Sequence, residues 1–226
     1  VFSQSALDSA VRVIVLAANG PAFCAGHDLK EVSAARTADD AGQFYFETLF
    51  ATCASVMQLI VNNPKPVIAE VAGVATAAGC QLVASCDLAV AADSARFATP
   101  GVNIGLFCST PMVALSRNVS NKHAMELLLT GDMIDAARAE QIGLINRSVD
   151  ADKLTSETMA LAEKIASKSS MTLAVGKRAF YLQAEMSLAD AYNYASKVMV
   201  DNMLKQDAEE GIAAFVEKRT PNWQDK

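Results

Sequence analysis

The feature that most limits how this chain can fold is a series of continuous apolar segments, each followed by a turn. The segments are VRVIVLAA at 11–18, PVIAEVAG at 66–73 and DLAVAA at 87–92, and ARFATP at 95–100 indicates a short fourth strand. A strand that is apolar throughout needs cover on both faces, which helices flanking a parallel sheet provide. Because strand and helix patterns alternate, the chain is predicted to belong to the α/β class.

Helical patterns occupy the remaining segments. A helix is predicted to begin near Asp28, whose acidic side chain suits a first turn, and another to occupy 41–62. VATAAGCQLVAS is predicted to lead into a short helix, and NKHAMELLLTG to end at a C-capping glycine, Gly131. The last third, 171–219, is a run of amphipathic helices with few strand signals.

The change of pattern along the chain predicts two regions with different roles. We predict an α/β core over 1–165 and a helical region over 166–226. The first residues, VFSQSALDSAVRVIVL, are expected to enter a strand almost at once, so we expect an upstream segment to be missing.

Composition excludes several classes of function. The net charge is −6 and the pI is about 5.0, and no basic stripe of the kind that binds nucleic acid is present. We find no transmembrane run and no signal peptide. The cysteines are odd in number and lack CxxC spacing, which favours buried free thiols in a reducing compartment over a metal site. They are Cys24, Cys53, Cys80, Cys86 and Cys108.

Two turns between a strand and a helix carry the chemistry. They are FCAGHDL at 23–29 and ATAAGCQL at 75–82. Small side chains let a ligand approach the backbone closely, and the first N–H groups of a helix have no partner within it. Two such amides that converge on one point can form an oxyanion hole, although either turn alone is as well explained by packing.

The order of several motifs resembles the enoyl-CoA hydratase/isomerase (crotonase) family over nearly the whole chain. The motifs are AFCAGHDLKEV, KPVIAEVAGVATAAGCQLVASCDLAVAADSARFATPGVNIGL, AMELLLTGDMIDAARAEQIGLINRSV and EEGIAAFVEKRTPNW. The resemblance implies a crotonase-like spiral of ββα units with a C-terminal helical trimerisation region. The family's N-terminal strand segment, before Val11, is absent from this sequence.

The resemblance also implies how a thioester is bound. The backbone amides of His27 and Ala78 correspond to the two donors that hold the thioester oxygen. The imidazole of His27 could instead contact substrate or water, or lie at a polar rim. Coenzyme A is expected as part of the substrate, with no permanently bound cofactor and no metal. The residues that match coenzyme A contacts are Ala25, His27, Lys30, Phe215 and Lys218, although each lysine could also be a solvated surface charge.

This sequence departs from the family where hydratases carry two acid/base carboxylates. The first position is Gln81 and the second is Gly101. A glutamine exchanges no proton near neutral pH and a glycine has no side chain, so we expect efficient hydration to be lost. Cys108 and Ser109, close to Gly101 in sequence, are candidate nucleophiles, although packing also explains Cys108. The nearby carboxylates have simpler explanations: Glu70 faces solvent or a subunit contact, and Asp28 begins a helix.

Three functions follow from these observations. The first is an acyl-CoA enzyme that stabilises a thioester enolate, with thioester hydrolysis, isomerisation and weak hydration left open. The second is a non-catalytic acyl-CoA-binding protein, and the third is a structural subunit. The expected ligand is an acyl-CoA thioester. The chain is expected to form a homotrimer or a dimer of trimers, and no nucleic acid or membrane partner is expected. The expected compartment is the cytoplasm in a bacterium and the mitochondrial matrix in a eukaryote.

Overall fold

Two four-stranded sheets organise the computed structural model, which describes residues 1–226. The strand order is β1-β3-β5-β8 in the first sheet and β2-β4-β6-β7 in the second. The strands are β1 Ile14–Leu16, β2 Ala22–Cys24, β3 Val67–Val71, β4 Val74–Thr76, β5 Leu88–Ala92, β6 Arg96–Ala98, β7 Ile134–Asp135 and β8 Arg147–Val149. The α/β class predicted from the sequence is confirmed.

Eleven α-helices and two short 3-10 segments complete the chain. The 3-10 segments are Pro100–Ile104 and Ala151–Lys153. The helices are α1 Phe2–Leu7, α2 Leu29–Ala35, α3 Gln43–Val61, α4 Ala78–Ser85, α5 Ser109–Leu115, α6 Asn121–Thr130, α7 Ala136–Gln141, α8 Leu154–Ala166, α9 Ser170–Gln183, α10 Leu188–Met203 and α11 Gln206–Glu217.

The parallel pair β3–β5 forms the centre of the first sheet. Its register runs from Ile68 opposite Leu88 to Val71 opposite Ala91. All of β3 is buried except Glu70, whose carboxylate accepts a hydrogen bond from Thr155 Oγ1 at 2.8 Å. The apolar runs that form β3 and β5 are therefore buried, as predicted, whereas β1 is only half-buried, and Glu70 is held in a structural contact.

Helix boundaries follow the predicted capping residues. Asp28 is the N-cap of α2, and its carboxylate accepts a hydrogen bond from the amide of Lys30 at 2.8 Å. Helix α6 ends at Gly131, which has a left-handed φ of +66°. The prediction of a helix over 41–62 corresponds to α3. Asp28 is thus a capping residue and its carboxylate is already engaged.

Two expectations for the first residues are wrong. The segment after Val1 is helix α1 rather than the start of a strand, and the strand predicted over 11–18 covers only Ile14–Leu16. Arg12 explains the shorter strand, because its guanidinium donates to the carbonyls of Ala166 at 2.8 Å and Lys168 at 2.6 Å. Strands β2, β4, β7 and β8 were not predicted, since segments of two or three residues show no clear periodicity.

The chain divides into two compact units. One contains 1–14, 62–66 and 160–226, and the other contains 15–61 and 67–159. In the first unit the C-terminal tail is anchored to α11, where the buried carboxylate of Asp207 accepts hydrogen bonds from the amides of Gln224 and Asp225. The predicted boundary between 165 and 166 stays a prediction.

Helix α3 has an unusually apolar sequence. It has 19 residues and a mean hydropathy of 1.5, which is enough by length and composition to cross a membrane, although no transmembrane run was identified from the sequence. One helix of this kind is weak evidence, because the core helices of soluble proteins meet the same criterion. Its buried residues, Cys53 and Ile60, show which face of the helix is covered by protein.

Candidate active site

The two turns singled out in the sequence lie against each other. A methyl group added at Gly26, in the first turn, would lie 3.0 Å from Cβ of Ala77 and 3.6 Å from the amide nitrogen of Ala78. Thr76 Oγ1 donates a hydrogen bond to the carbonyl of Ala25 at 3.1 Å, which joins the same two segments. Backbone from the two turns is therefore adjacent, as an oxyanion hole requires.

Strand pairing explains why these turns meet. Strand β2 pairs in parallel with β4, with Ala22 opposite Val74 and Cys24 opposite Ala75. Parallel strands end at the same edge of a sheet, so the turns that follow them lie side by side. Gly79, in the first turn of α4, has no room for a side chain, because a methyl group there would overlap the carbonyl of Cys24. The close approach of α4 to β2 thus requires this glycine.

The residue before α4 has a strained backbone. Ala77 has φ +52° and ψ −117°, outside the regions that a residue with a Cβ normally adopts. Its amide donates to the carbonyl of Ala98 at 3.0 Å, and its carbonyl accepts from the amide of Gln81 at 3.1 Å. These two bonds hold Ala77 in place, and the strained turn sets the direction of the next amide, that of Ala78.

The amides of His27 and Ala78 are both unused. Ala78 is the first residue of α4, its N-cap has no capping side chain, and it is half-buried. His27 directly precedes the N-cap of α2, and neither amide donates a hydrogen bond within the protein. The His27 ring makes an edge-to-face contact with Phe50, with 5.8 Å between ring centroids and 84° between ring planes. Unpaired amides at helix starts favour an acceptor atom with partial negative charge.

Gln81 lies one turn further along α4 and is almost completely buried. Only 4% of its surface is exposed, and its Oε1 accepts a hydrogen bond from the thiol of Cys53, in α3, with 3.8 Å between sulfur and oxygen. Burial raises the pKa of Cys53, and the neighbouring Cys24 raises it further, so the thiol keeps its proton. Gln81 is therefore a neutral amide paired with a neutral thiol.

Gly101 lies in the 3-10 segment that follows β6. A methyl group there would lie 2.7 Å from the carbonyl oxygen of Leu106 and 2.9 Å from Sγ of Cys108, because the amide of Leu106 bonds back to the carbonyl of Gly101 at 2.9 Å. The space that a side chain at Gly101 would need is therefore occupied by the chain itself.

The structure brings Cys108 next to Gly101 but turns Ser109 away. Cys108 is buried, and it also lies near Cys80, whose pKa is raised to about 12 by burial and by Cys108. The hydroxyl of Ser109 donates to the carbonyl of Phe107 at 3.3 Å, and no side-chain base bonds to it. Ser109 therefore lacks the base that a serine nucleophile needs.

The residues matched to coenzyme A contacts lie on exposed surfaces of their own units. Ala25 and Lys30 are exposed beside the first turn. In the other unit Phe215 is 85% exposed, and Lys218 caps α11 in a left-handed conformation with φ +56°. The structure contains no group of three His, Cys, Asp or Glu side chains arranged to hold a metal ion.

Sequence reasoning missed two polar groups near the site. Cys53 was predicted only to be a buried free thiol, but its thiol bonds to Gln81. Thr99, between β6 and Gly101, is fully buried and its hydroxyl has no hydrogen-bond partner. Periodicity predicts that Cys53 lies on the covered face of α3, but it does not predict which group its thiol bonds to.

Comparison with known proteins identifies the family. The family model described as enoyl-CoA hydratase/isomerase matches residues 1–226. This chain belongs to the enoyl-CoA hydratase/isomerase family. The family assignment made from the sequence motifs is thus confirmed.

Several known proteins are similar to this chain in both sequence and fold. A mouse relative, mitochondrial enoyl-CoA hydratase domain-containing protein 3, is 53% identical over 94% of this chain and 69% of its own length. The crystal structure of the human protein of that name has a TM-score of 0.90 at 48% identity, covering 98% of this chain and 88% of that one. An enoyl-CoA hydratase from Mycobacterium smegmatis has a TM-score of 0.92 at 51% identity, covering 98% and 84%. The crotonase-like fold is therefore confirmed.

The contact between the turns predicts the effect of a single methyl group. Gly20 and Gly26 have almost the same φ, +101° and +100°, but a methyl group at Gly20 meets nothing within 4 Å. Alanine at either position is expected to lower the free energy of unfolding by about 1–3 kcal/mol, because of the left-handed backbone. Gly26→Ala is expected to lower it by about 1–3 kcal/mol more, because Ala77 must move.

Chemical denaturation of Gly26→Ala and of its matched control Gly20→Ala measures this difference. Titration with acyl-CoA should show weakened binding in Gly26→Ala alone, since only that change separates the turns. Equal stability and equal affinity in the two variants would contradict the assignment of the turns to one site.

Proposed function

We propose that this chain binds an acyl-CoA thioester and stabilises the enolate form of its acyl group. The observation that supports the proposal is the contact between Gly26 and the Ala77–Ala78 turn, because His27, which follows Gly26, and Ala78 both have backbone amides without a partner in the protein. In this proposal the amides of His27 and Ala78 donate to the thioester oxygen. Such donors typically contribute about 3–4 kcal/mol each to the stabilisation of a developing oxyanion.

Coenzyme A enters this proposal as part of the substrate rather than as a resident cofactor. Ala25 and Lys30 flank the first turn and are exposed, which suits contacts to the nucleotide and its phosphates. Phe215 and Lys218 are proposed to reach the coenzyme A of a neighbouring subunit, since both are exposed. The relatives named as mitochondrial support a mitochondrial matrix location for a eukaryotic source, and we propose the cytoplasm for a bacterial one.

Proton transfer is the part of family chemistry that this site is proposed to have lost. Gln81 is held neutral against Cys53, and Gly101 has no room for a side chain. Each missing acid or base group typically removes about 10²–10⁴-fold in rate. The reaction left to such a site depends on enolate stabilisation, and thioester hydrolysis or isomerisation would need a base from elsewhere.

A second function is favoured by the packing around Gly101. Because the carbonyl of Leu106 and the thiol of Cys108 fill the space of a side chain, the loop itself has closed over the second acid/base position. This is the arrangement expected of a non-catalytic acyl-CoA-binding protein that retains its oxyanion hole and no longer turns over its ligand.

Hydration of crotonyl-CoA tests whether acid/base chemistry is lost. We expect a turnover well below the range of about 1–10³ per second that is usual for enzymes, measured as loss of enoyl absorbance. Gln81→Glu should raise it, because a carboxylate restores one acid/base group. Gln81→Ala is the control and should give no gain.

A wild-type rate within the usual range would contradict this account and reveal another acid/base pair. The companion change Gly101→Glu is uninformative by itself, because its Cβ would displace Leu106 and Cys108.

The helices of the first unit predict self-association. Exposed apolar side chains on these helices include Phe180, Leu188, Tyr192, Leu204 and Phe215, each at least 65% exposed. Apolar surface on this scale is usually covered by another chain, and closed symmetry is the usual outcome. We propose a trimer or a dimer of trimers held by residues from about 170 onward.

Sedimentation at micromolar concentration is expected to give a multiple of three subunits. Leu188→Glu is expected to weaken the assembly, whereas the exposed charge Lys164→Glu, on α8, serves as the control. A stable wild-type monomer would contradict the assembly and the assignment of Phe215 to a neighbour's ligand.

A further inference from the structure

The pairing of Cys53 with Gln81 fixes the orientation of the glutamine amide. Both residues are buried, with exposures of 9% and 4%, and the contact joins α3 to α4. The thiol is protonated, since burial raises its pKa, and an S–H group needs an acceptor. Only the amide oxygen of Gln81 accepts hydrogen bonds well, whereas a thiol sulfur accepts them weakly. The thiol therefore selects the orientation in which Oε1 faces α3.

The other end of the amide is left free. Nε2 of Gln81 makes no hydrogen bond within the protein. Among side-chain atoms sealed from solvent, those without a partner are the hydroxyls of Thr99 and Thr158. Nε2 is not one of them, so it keeps some exposure to solvent although the residue as a whole is buried. An N–H₂ group in this setting is a pair of hydrogen-bond donors awaiting an acceptor.

The position of Gln81 relative to Ala78 indicates what that acceptor is. The two residues are three apart in α4, about 4.5 Å along the helix axis, and share one face. Side chains of a helix lean toward its N-terminus, which brings the Gln81 amide back toward the Ala78 amide. A thioester whose oxygen lies on Ala78 extends its C2 and C3 atoms over only a few ångströms, within reach of this donor.

We propose that Cys53 is a positioning residue that holds the Gln81 amide with its N–H₂ group toward the acyl chain, so that the site selects thioesters carrying an acceptor oxygen on C3. This inference rests on the proposed function, because it takes the thioester oxygen to lie on Ala78. A 3-oxoacyl thioester supplies the acceptor, whereas a saturated or 2-enoyl chain leaves both N–H groups unpaired. A buried donor that is left unpaired opposes binding. The site therefore discriminates against thioesters with a saturated or 2-enoyl chain.

The test compares the affinities of butyryl-CoA and 3-oxobutyryl-CoA, measured by isothermal titration at neutral pH. The second compound has an additional oxygen on C3. In the keto form this oxygen accepts hydrogen bonds and donates none. For the wild type we expect at least about 5-fold tighter binding of the 3-oxo compound. Gln81→Leu should abolish this preference if it comes from the amide, whereas a preference that arises from enolate binding at the two backbone amides would survive the change.

Three further variants separate positioning from packing. Cys53→Ala removes the S–H donor and should lower the preference by about 3-fold or more. Cys53→Ser keeps a donor and should retain the preference. Ser85→Ala, whose hydroxyl bonds to the backbone carbonyl of Gln81 at 2.8 Å, disturbs the same helix turn without touching the amide, and should also retain it.

The outcomes are distinguishable. Equal and measurable affinities for the two thioesters in the wild type would overturn this inference and leave the proposed function standing. A preference that persists unchanged in Gln81→Leu, or in Cys53→Ala, would overturn it as well. No binding of either thioester would overturn the proposed function and this inference together.

Discussion

The parallel pairing of β2 with β4 is the constraint on which the candidate site depends. It ends two strands at one edge of a sheet, and each strand passes directly into a helix start. Gly26 and Gly79 allow close approaches between these segments, and the strained Ala77 directs the amide that follows it. Backbone geometry set by strand pairing needs no particular side chain at Ala78, so the proposed oxyanion hole does not depend on the identity of that side chain.

Gln81 and Gly101 contrast with this backbone scaffold. Neither supplies an ionisable side chain: Gln81 pairs its amide with Cys53, whereas the space at Gly101 is filled by Leu106 and Cys108. A site that keeps preorganised donors and loses proton transfer can still bind and polarise a thioester. The relatives that carry hydratase in their names therefore support a shared scaffold more directly than a shared reaction.

Sequence patterns predicted the features that depend on local chemistry. The buried strands β3 and β5, the Asp28 cap and the Gly131 terminus all follow from apolar runs and capping residues. The strands β7 and β8 were missed because they are two and three residues long and exist only through pairing with β6 and β5. The Cys53–Gln81 contact joins residues 28 apart in sequence, and the closure over Gly101 depends on a backbone hydrogen bond. Tertiary packing decides both, so neither has a sequence signature.

Two backbone amides are proposed to polarise a bound thioester. The most direct test is the carbonyl stretching band of bound butyryl-CoA that carries carbon-13 at the thioester carbon. Replacement of Ala78 by its α-hydroxy acid analogue removes one N–H without a side-chain change, and it avoids the clash that proline would create with the strained Ala77. We expect the band to move to lower wavenumber when the wild type binds the thioester, and to move less in the analogue, while coenzyme A itself binds both proteins equally. A band at its free-solution position in fully bound wild-type protein would contradict the account.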